Sequence, residues 1–257
     1  MRPIELQKGI IYGPVTSRRL GRSLGLNLMP TTLKVCSLNC SYCQYGWTSK
    51  LTDSGDGYRN YFPTVQQILL NLKEVFEQRN DFDYLTFSGN GEPTLHPDFP
   101  QIVDRVFEMK AYFRSDVKLA ILSNSTSCLD LKIRYALSKI DLPIMKLDVG
   151  NERAFKKINR AAPGVSFRSL VDGLKSLQWF VLQTMFVQGA NDNTRDEEVE
   201  TWIDALQEVH PLWIQIYSLD RVPAFSKLRK VPAEKLKQIA ELAAKRTGLR
   251  VEVYDGI

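Results

Sequence analysis

The chain has 257 residues, 44% of them hydrophobic and 25% charged, enough apolar material for a sizeable core and an ordinary charge share, which excludes an intrinsically disordered chain. The opening MRPIELQKGI lacks the apolar stretch of a secretion signal and no run of about 18 apolar residues offers a membrane span, so a cytoplasmic protein without a membrane partner is expected. The net charge of +5 is uneven: residues 1–60 hold eight Lys and Arg against three Asp and Glu, 221–250 hold nine against two, and 61–220 hold 17 against 22. Both ends are basic, which fits either scattered surface charge or a rim for an anionic partner.

Short β-prone runs at 31–35, 83–88, 117–122, 143–148, 181–187 and 212–217 alternate with helical patterns at 63–79, 97–112, 129–139, 166–178 and 194–209. Val65, Ile68, Leu69, Leu72 and Val75 hold one face of the first helix, and Val199, Trp202, Leu206 and Val209 one face of the fifth. Asp98 or Pro97 suits the start of the second helix, and Asn193 or Thr194 that of the fifth. A sixth helix is expected at about 232–247. Six strands each followed by a helix imply parallel pairing with right-handed crossovers. Eight such units close a barrel, so six predict an α/β fold of the incomplete (β/α)6 TIM-barrel type, with a flat doubly wound sheet as the competitor. A single domain over 1–257 is expected, with a core at about 31–220, a basic extension at 1–30, and a C-terminal helix and tail at 221–257. The site belongs at the carboxyl ends of the strands in either fold.

Cys36, Cys40 and Cys43 follow the first of these runs at CxxxCxxC spacing. In a reducing compartment clustered cysteines are metal ligands or buried thiols rather than disulfides. Structural zinc takes four ligands, usually in two close pairs, and no such second pair exists here, since the remaining cysteine is Cys128 and the histidines are His96 and His210. Three thiolates suit a [4Fe–4S] cluster with one iron left free of protein, where the amino and carboxylate groups of S-adenosylmethionine (SAM) can chelate. Strand alternation adds a second expectation. With Met145 and Leu147 facing the helices, Ile144, Lys146 and Asp148 face the barrel interior, as do Thr86 and Ser88, Gln183 and Met185, and Gln215 and Tyr217. Such a lining is costly unless paired or filled by a polar ligand. His96 at a helix start, His210 at a helix end and Cys128 at a helix start read as structural.

The spacing, with Tyr42 just before the last cysteine, resembles the radical SAM superfamily signature. The longer stretches resemble its small Fe–S oxidoreductases related to the wybutosine-synthesis enzymes that modify tRNA. They are Tyr12-Gly13-Pro14 and Ser17 to Gly25, Gln44-Tyr45-Gly46, Thr86 to Leu95, Leu122 to Ser125, Lys146-Leu147-Asp148, Gln183 to Val187 with Gly189, and Leu219 to Pro223. The family's Gly-Gly-Glu stands here as Gly89-Asn90-Gly91-Glu92, and Ser125 occupies a place where relatives often carry Gly. No second cysteine cluster occurs.

The resemblance implies reductive cleavage of SAM to a 5′-deoxyadenosyl radical that abstracts hydrogen from a substrate. An external one-electron reductant of flavodoxin or ferredoxin type is implied with it. It also implies that the backbone of Gly89, Asn90 and Gly91 holds the methionyl amine and that Asp148 accepts from the ribose hydroxyls. Ser123 and Asn124 contact the ribose or the methionyl carboxylate, or else cap a turn. Tyr42 packs near the adenine, and Val187 with Gly189 forms an adenine wall or plain core. Candidate substrate contacts are Lys146, Gln183, Gln215 and Tyr217 inside the barrel. Arg18, Arg19, Arg22 and Arg221, with Lys227, Arg229 and Lys230, are expected at its open side, facing an anionic substrate such as RNA or else a polypeptide. A non-catalytic electron carrier and a nucleic-acid-binding scaffold are the rival classes.

Overall fold

The computed structural model describes residues 3–79, 81–114 and 116–255; residues 1–2, 80, 115 and 256–257, and with them the outermost ends of the two predicted extensions, lie outside the described residues. Among the described residues the main sheet has eight strands, β1 (Ile11–Ser17), β2 (Gly21–Leu26), β3 (Tyr84–Phe87), β4 (Lys118–Ser123), β5 (Leu142–Lys146), β6 (Val181–Met185), β7 (Ile214–Tyr217) and β8 (Val251–Tyr254). They lie side by side in chain order. β1 is antiparallel to β2, and every later neighbour is parallel. The helices are α1 (Val65–Gln78), α2 (Phe99–Phe113), α3 (Leu131–Leu137), α4 (Glu152–Ile158), α5 (Phe167–Lys175), α6 (Asp196–Val209) and α7 (Ala233–Thr247).

Local chemistry accounts for these elements. Thr64 and Gln67 form a reciprocal capping box at the start of α1, whose Ile68, Leu72 and Phe76 are buried. Ser166 and Ser169 do the same for α5. Asp98 precedes α2 without a side-chain cap bond and pairs instead with Arg59 at 2.8 Å. α6 starts after Arg195, one residue beyond the expected start, with three acidic residues in its first turn where the helix dipole favours them.

The sheet is curled into a half-barrel, which excludes the flat alternative. Leu20, in the turn between β1 and β2, packs with Ala120 of β4, Ile144 of β5 and Val181 of β6. Arg19 beside it lies over the rings of Tyr217 and Tyr254, 4.8 and 5.8 Å from their centroids. The first hairpin can reach the last two strands only if the sheet bends round to meet it. Met145 and Leu147 join the outer core under the helices while Ile144 lies in the inner cluster, as strand alternation requires.

One strand assignment is corrected. The run 31–35 is not the first barrel strand; β2 is, and Val35–Cys36 forms only a two-residue ladder with Lys50–Leu51. The reason is packing. Tyr12 crosses from β1 over Gly25, where a Cβ would stand 2.1 Å from its ring. The inward positions of β2 therefore carry Ser23 and Gly25, and no hydrophobic alternation marks them. At the other end β8, expected as part of a tail, pairs with β7 in register from Ile214↔Val251 to Tyr217↔Tyr254. The sheet thus begins at residue 11 and ends at 254, beyond the predicted core limits of 31 and 220 on both sides. With β2 as the first strand, six β/α units and a closing strand are present among the described residues, and α4 is an additional helix after β5.

Candidate active site

The three cysteines sit over the carboxyl ends of the strands. Val35 bridges to Gly91 beyond β3, and Leu38 bridges to Ala161 beyond β5. Each thiol receives one side-chain nitrogen donor. Asn124 Nδ2 donates to Cys36 Sγ at 3.5 Å, Asn159 Nδ2 to Cys40 Sγ at 3.5 Å, and Lys34 Nζ to Cys43 Sγ at 3.1 Å. Burial pushes the Cys36 thiol up to about 12 and the Cys40 thiol to about 11. A bound cation reverses that logic, because a coordinating thiol is deprotonated outright. Lys34 is only 3% exposed and also donates to Gly46 O at 2.9 Å. Burial disfavours its charge, but the facing thiolates of Cys43, Cys36 and Cys40 outweigh that and raise its pKa.

Among the described residues no group of three or more His, Cys, Asp or Glu side chains closes round a point where a single ion would sit. A [4Fe–4S] cluster spreads its thiolates over different irons, and hydrogen bonds to its sulfurs help set its potential. Three thiols, each supplied with a side-chain donor, fit that group better than zinc, which takes four protein ligands in a structural site. Polar atoms are also left over beside it. Ser41 Oγ and Asn159 Oδ1 are buried without a partner, a condition that costs about 1–3 kcal/mol per group and is met where a ligand completes the set. Asn159 also lines a small cavity of about 10 Å³ together with Leu38, Asn124, Lys146, Asp148 and Phe155.

The glycine turn beyond β3 is built for close approach. Gly89 has φ +138°, and a Cβ there would stand 2.3 Å from Asn27 Oδ1; a Cβ on Gly91 would stand 1.8 Å from Val35 O. Asn27 Oδ1 accepts the Asn90 N–H at 3.1 Å. The Asn90 side chain accepts from Gln7 N at 2.7 Å and donates to Gln7 O and Pro30 O at 2.9 and 3.0 Å. Buried Glu92 ties this turn to the next one, accepting from Ser123 Oγ at 2.9 Å, Asn124 N at 2.6 Å and Thr94 Oγ1 at 2.7 Å. Burial raises its pKa against these donors. Ser123 Oγ also accepts from Ser125 N, and Ser125 has φ +73°, the left-handed conformation that glycine adopts most cheaply.

Inside the barrel the predicted inward residues meet in register. Lys146 pairs with Gln183 and Gln183 with Gln215 on successive strands, with Met185 opposite Tyr217 in the next row. Lys146 Nζ donates to Tyr217 OH at 3.0 Å, Tyr217 OH to Gln183 Oε1 at 3.1 Å, and Gln183 Nε2 to Gln215 Oε1 at 3.3 Å. Asp148, 3% exposed, is saturated. Its Oδ1 accepts from Met185 N at 2.9 Å and lies 3.2 Å from Lys146 Nζ, and its Oδ2 accepts from Asn159 Nδ2 at 2.8 Å and from Tyr42 OH. Burial works against the Lys146 ammonium, yet Asp148 and Tyr217 raise its pKa; burial and then Asp148 raise that of Tyr42 well above the usual tyrosine range. Thr86 bonds Ser23 at 2.7 Å and Ser88 bonds Tyr12 at 2.6 Å.

The arginines divide. Arg19 lies against the interior with Nη1 buried and unpartnered. Arg18 pairs with Asp220 at 2.7 Å and donates to the Asp255 carbonyl, tying the first hairpin to the opposite edge. Lys230 is shared between Asp220 and Asp255. Arg22 pairs with Asp83 at 2.7 Å where β2 and β3 begin, at the amino ends of the strands and away from the cysteines. Exposed Arg221 acts electrostatically on Tyr45, two residues past Cys43, and forms no ion pair among the described residues. Val187 is fully buried, its N–H donating to Asn193 Oδ1 at 2.8 Å, while Gly189 has φ +106° and closes against Lys227 O. His96 bonds Pro63 O and accepts the Asp98 N–H, and Cys128 is 1% exposed.

Lys34, Asn159, Asn27 and Asn193 carry no signal of these contacts in the sequence. Lys34 alone stands in a telling place, two residues before Cys36. Asn193, expected only near a helix start, holds Asp148 O at 2.8 Å and Met185 O at 2.9 Å.

Comparison with known proteins bears on the family and the fold. Residues 31–202 match the family model of the radical SAM superfamily. The chain is 31% identical over 212 residues to a UPF0026 protein of Synechocystis sp., covering 80% of this chain and 74% of that one. It is 30% identical over 250 residues to a protein named GTPase Obg of Brachyspira hyodysenteriae, covering 95% of this chain but 35% of that one, so the match spans about a third of that relative's length. Similar solved structures include TYW1 with a lysine–pyruvate adduct (TM-score 0.58, 13% identity, 88% of this chain and 75% of that one). Another is anSMEcpe with bound AdoMet (TM-score 0.62, 16% identity, 89% and 63%). At these identities the structures show a shared fold.

Proposed function

The chain belongs to the radical SAM superfamily and, among its curated relatives, to the UPF0026 proteins; from that premise we propose that it is an enzyme acting on an anionic substrate, RNA, with Cys36, Cys40 and Cys43 holding a [4Fe–4S] cluster. When bound, that cluster and SAM supply reductive cleavage and a radical able to take hydrogen from an unreactive position. The chain's own residues do the rest. Asn124, Asn159 and Lys34 offer their N–H groups to the sulfurs. The main chain of Gly89 to Gly91 offers the methionyl end of SAM a surface without side chains. Ser41 Oγ and Asn159 Oδ1 are the buried atoms that still need partners. Asp148 meets a ribose by exchanging the Tyr42 and Lys146 contacts it now holds, which couples cofactor entry to the interior network.

The observation that carries the substrate reading is a pair of half-buried cations facing the barrel interior. Arg19 Nη1 has no partner and lies over Tyr217, and Lys146 donates to the same tyrosine's hydroxyl. A phosphate between them would satisfy the guanidinium, which binds such oxyanions with two parallel hydrogen bonds. Exposed Arg221 then borders the entrance. A base reaches this depth only by leaving its stack. No helix among the described residues is long and apolar enough to cross a membrane.

Anaerobic incubation with SAM and dithionite tests the chemistry, since an enzyme forms 5′-deoxyadenosine and an electron carrier or a binding scaffold forms none. RNA affinity that falls with salt, each neutralised phosphate adding about 0.7–0.9 to the log–log slope, and that drops in Arg19→Ala and Arg221→Ala, tests the substrate. Formation of 5′-deoxyadenosine that a polypeptide stimulates and RNA does not would transfer the same chemistry to a polypeptide.

A further inference from the structure

Resting on that reading of the cysteines, we propose that Trp47, Arg160 and Phe225, flanked by Lys157 and Lys227, form the docking surface for an acidic one-electron carrier of the flavodoxin class. The residues come from three separate segments and meet on the outside of the cysteine loop. Arg160 lies 4.7 Å from the centroid of Trp47 and 5.8 Å from that of Phe225, and the two rings stand 6.4 Å apart. Trp47 keeps 41% of its surface exposed. Lys157 and Lys227 are exposed and are brought close through consecutive residues: Asn191 Nδ2 donates to Lys157 O at 3.2 Å, and Ala190 N to Lys227 O at 3.2 Å. Neither lysine nor Arg160 forms an ion pair among the described residues. Arg18, Arg22 and Lys230, by contrast, are each held by aspartates. Unpaired cations round an exposed aromatic surface suit an acidic protein, which they would steer and orient.

The patch is also joined directly to the ligand loop. Phe225 N donates to Ser41 O at 2.9 Å, between Cys40 and Tyr42, and Asn39 N donates to Arg160 O at 3.2 Å. A second path starts at Trp47. Its neighbour Gly46 gives its carbonyl to Lys34 Nζ, which donates to Cys43 Sγ. Electron transfer weakens steeply with separation, so a donor gains most by docking where least protein intervenes. The carrier gives up one electron, the cysteine-held group gains one, and no bond or proton is exchanged. RNA is the other polyanion that cations and a stacking ring could hold. The links to Ser41 and Cys43 favour the carrier, since the barrel interior where a base would react lies on the other side of that loop.

The test uses the reconstituted protein, a purified acidic flavodoxin and the double variant Trp47→Ala/Lys157→Glu, which leaves every cysteine contact in place. Flavodoxin affinity, read by titration, should fall at least tenfold in the variant, and the affinity of the parent should fall with salt. Dithionite-driven formation of 5′-deoxyadenosine should be unchanged, because a small reductant needs no docking surface. Equal flavodoxin affinity in parent and variant, or none in the parent, would overturn the proposal. So would a variant that loses affinity for bulk tRNA while keeping that for flavodoxin, which would assign the patch to RNA. Absence of 5′-deoxyadenosine from the parent with dithionite would sink the enzymatic reading instead, and a tenfold loss of flavodoxin affinity would still uphold the surface.

Discussion

The same strands build two unlike halves of the barrel interior. Towards their amino ends, Leu20, Ala120, Ile144 and Val181 make a small apolar cluster with Leu122, Leu142 and Trp213 packed on it. One inward position further along, Ile144 gives way to Lys146 and then Asp148, and Val181 to Gln183, so that a connected polar network replaces it. Backbone geometry and register are shared. What changes is how each side chain meets the loss of water. The apolar half gains by leaving water, whereas the polar half needs a partner for each donor and acceptor. An apolar cluster is packed at one end and a hydrogen-bonded polar network is held at the other.

That contrast breaks in a graded way. The largest effect belongs to the cysteines. Cys40→Ala should take anaerobically reconstituted iron from about four per chain to near background, while Cys128→Ala should not change it; zinc in place of iron in cells with working cluster assembly would break the assignment. Next comes the network. Asp148→Ala should cost about 3–5 kcal/mol of unfolding free energy, because it leaves the Lys146 charge buried without its counterpart. Adding Lys146→Met should restore part of that loss, and strictly additive losses would show that the two do not act as a pair. In the apolar half, Ile144→Ala should cost about 2–5 kcal/mol through the cavity it leaves, yet iron per folded chain should stay at the parental level. Iron loss in that variant would mean that the two halves are not separable.

The smallest expected effect lies outside both halves. Burial lowers the pKa of His96 from its ordinary 6.5. A group with a depressed folded-state pKa contributes fully above its unfolded value and loses that contribution as pH falls through the folded one. Urea unfolding at pH 7.5 and 5.5 should therefore show a larger acid loss in the parent than in His96→Gln. Equal losses would assign the acid sensitivity elsewhere.

Much of this was legible in the sequence. The helical stripes, five of the six strands, the inward rank of Lys146, Asp148, Gln183, Gln215 and Tyr217, and the cysteine triplet all follow from period and spacing, which are properties of a single segment. β2 was not legible, because Tyr12 fills the room that its own side chains would otherwise occupy. Nor was β8, a four-residue strand beyond the last predicted helix. The basic ends were visible as composition, but not that aspartates neutralise Arg18, Arg22 and Lys230 while Lys157, Arg160 and Lys227 form no ion pair among the described residues.

The sequence by itself therefore determined the alternation of elements, the cysteine triplet and the face on which each strand residue lies, since local geometry sets all three. Only the tertiary structure decided which N–H meets which sulfur, which buried atoms are left without partners and which arginines are paired. Those depend on contacts between residues as far apart as Cys36 and Asn124, Cys40 and Asn159, or Arg18 and Asp220. No local pattern records such contacts, because they join segments that only the folded chain brings together.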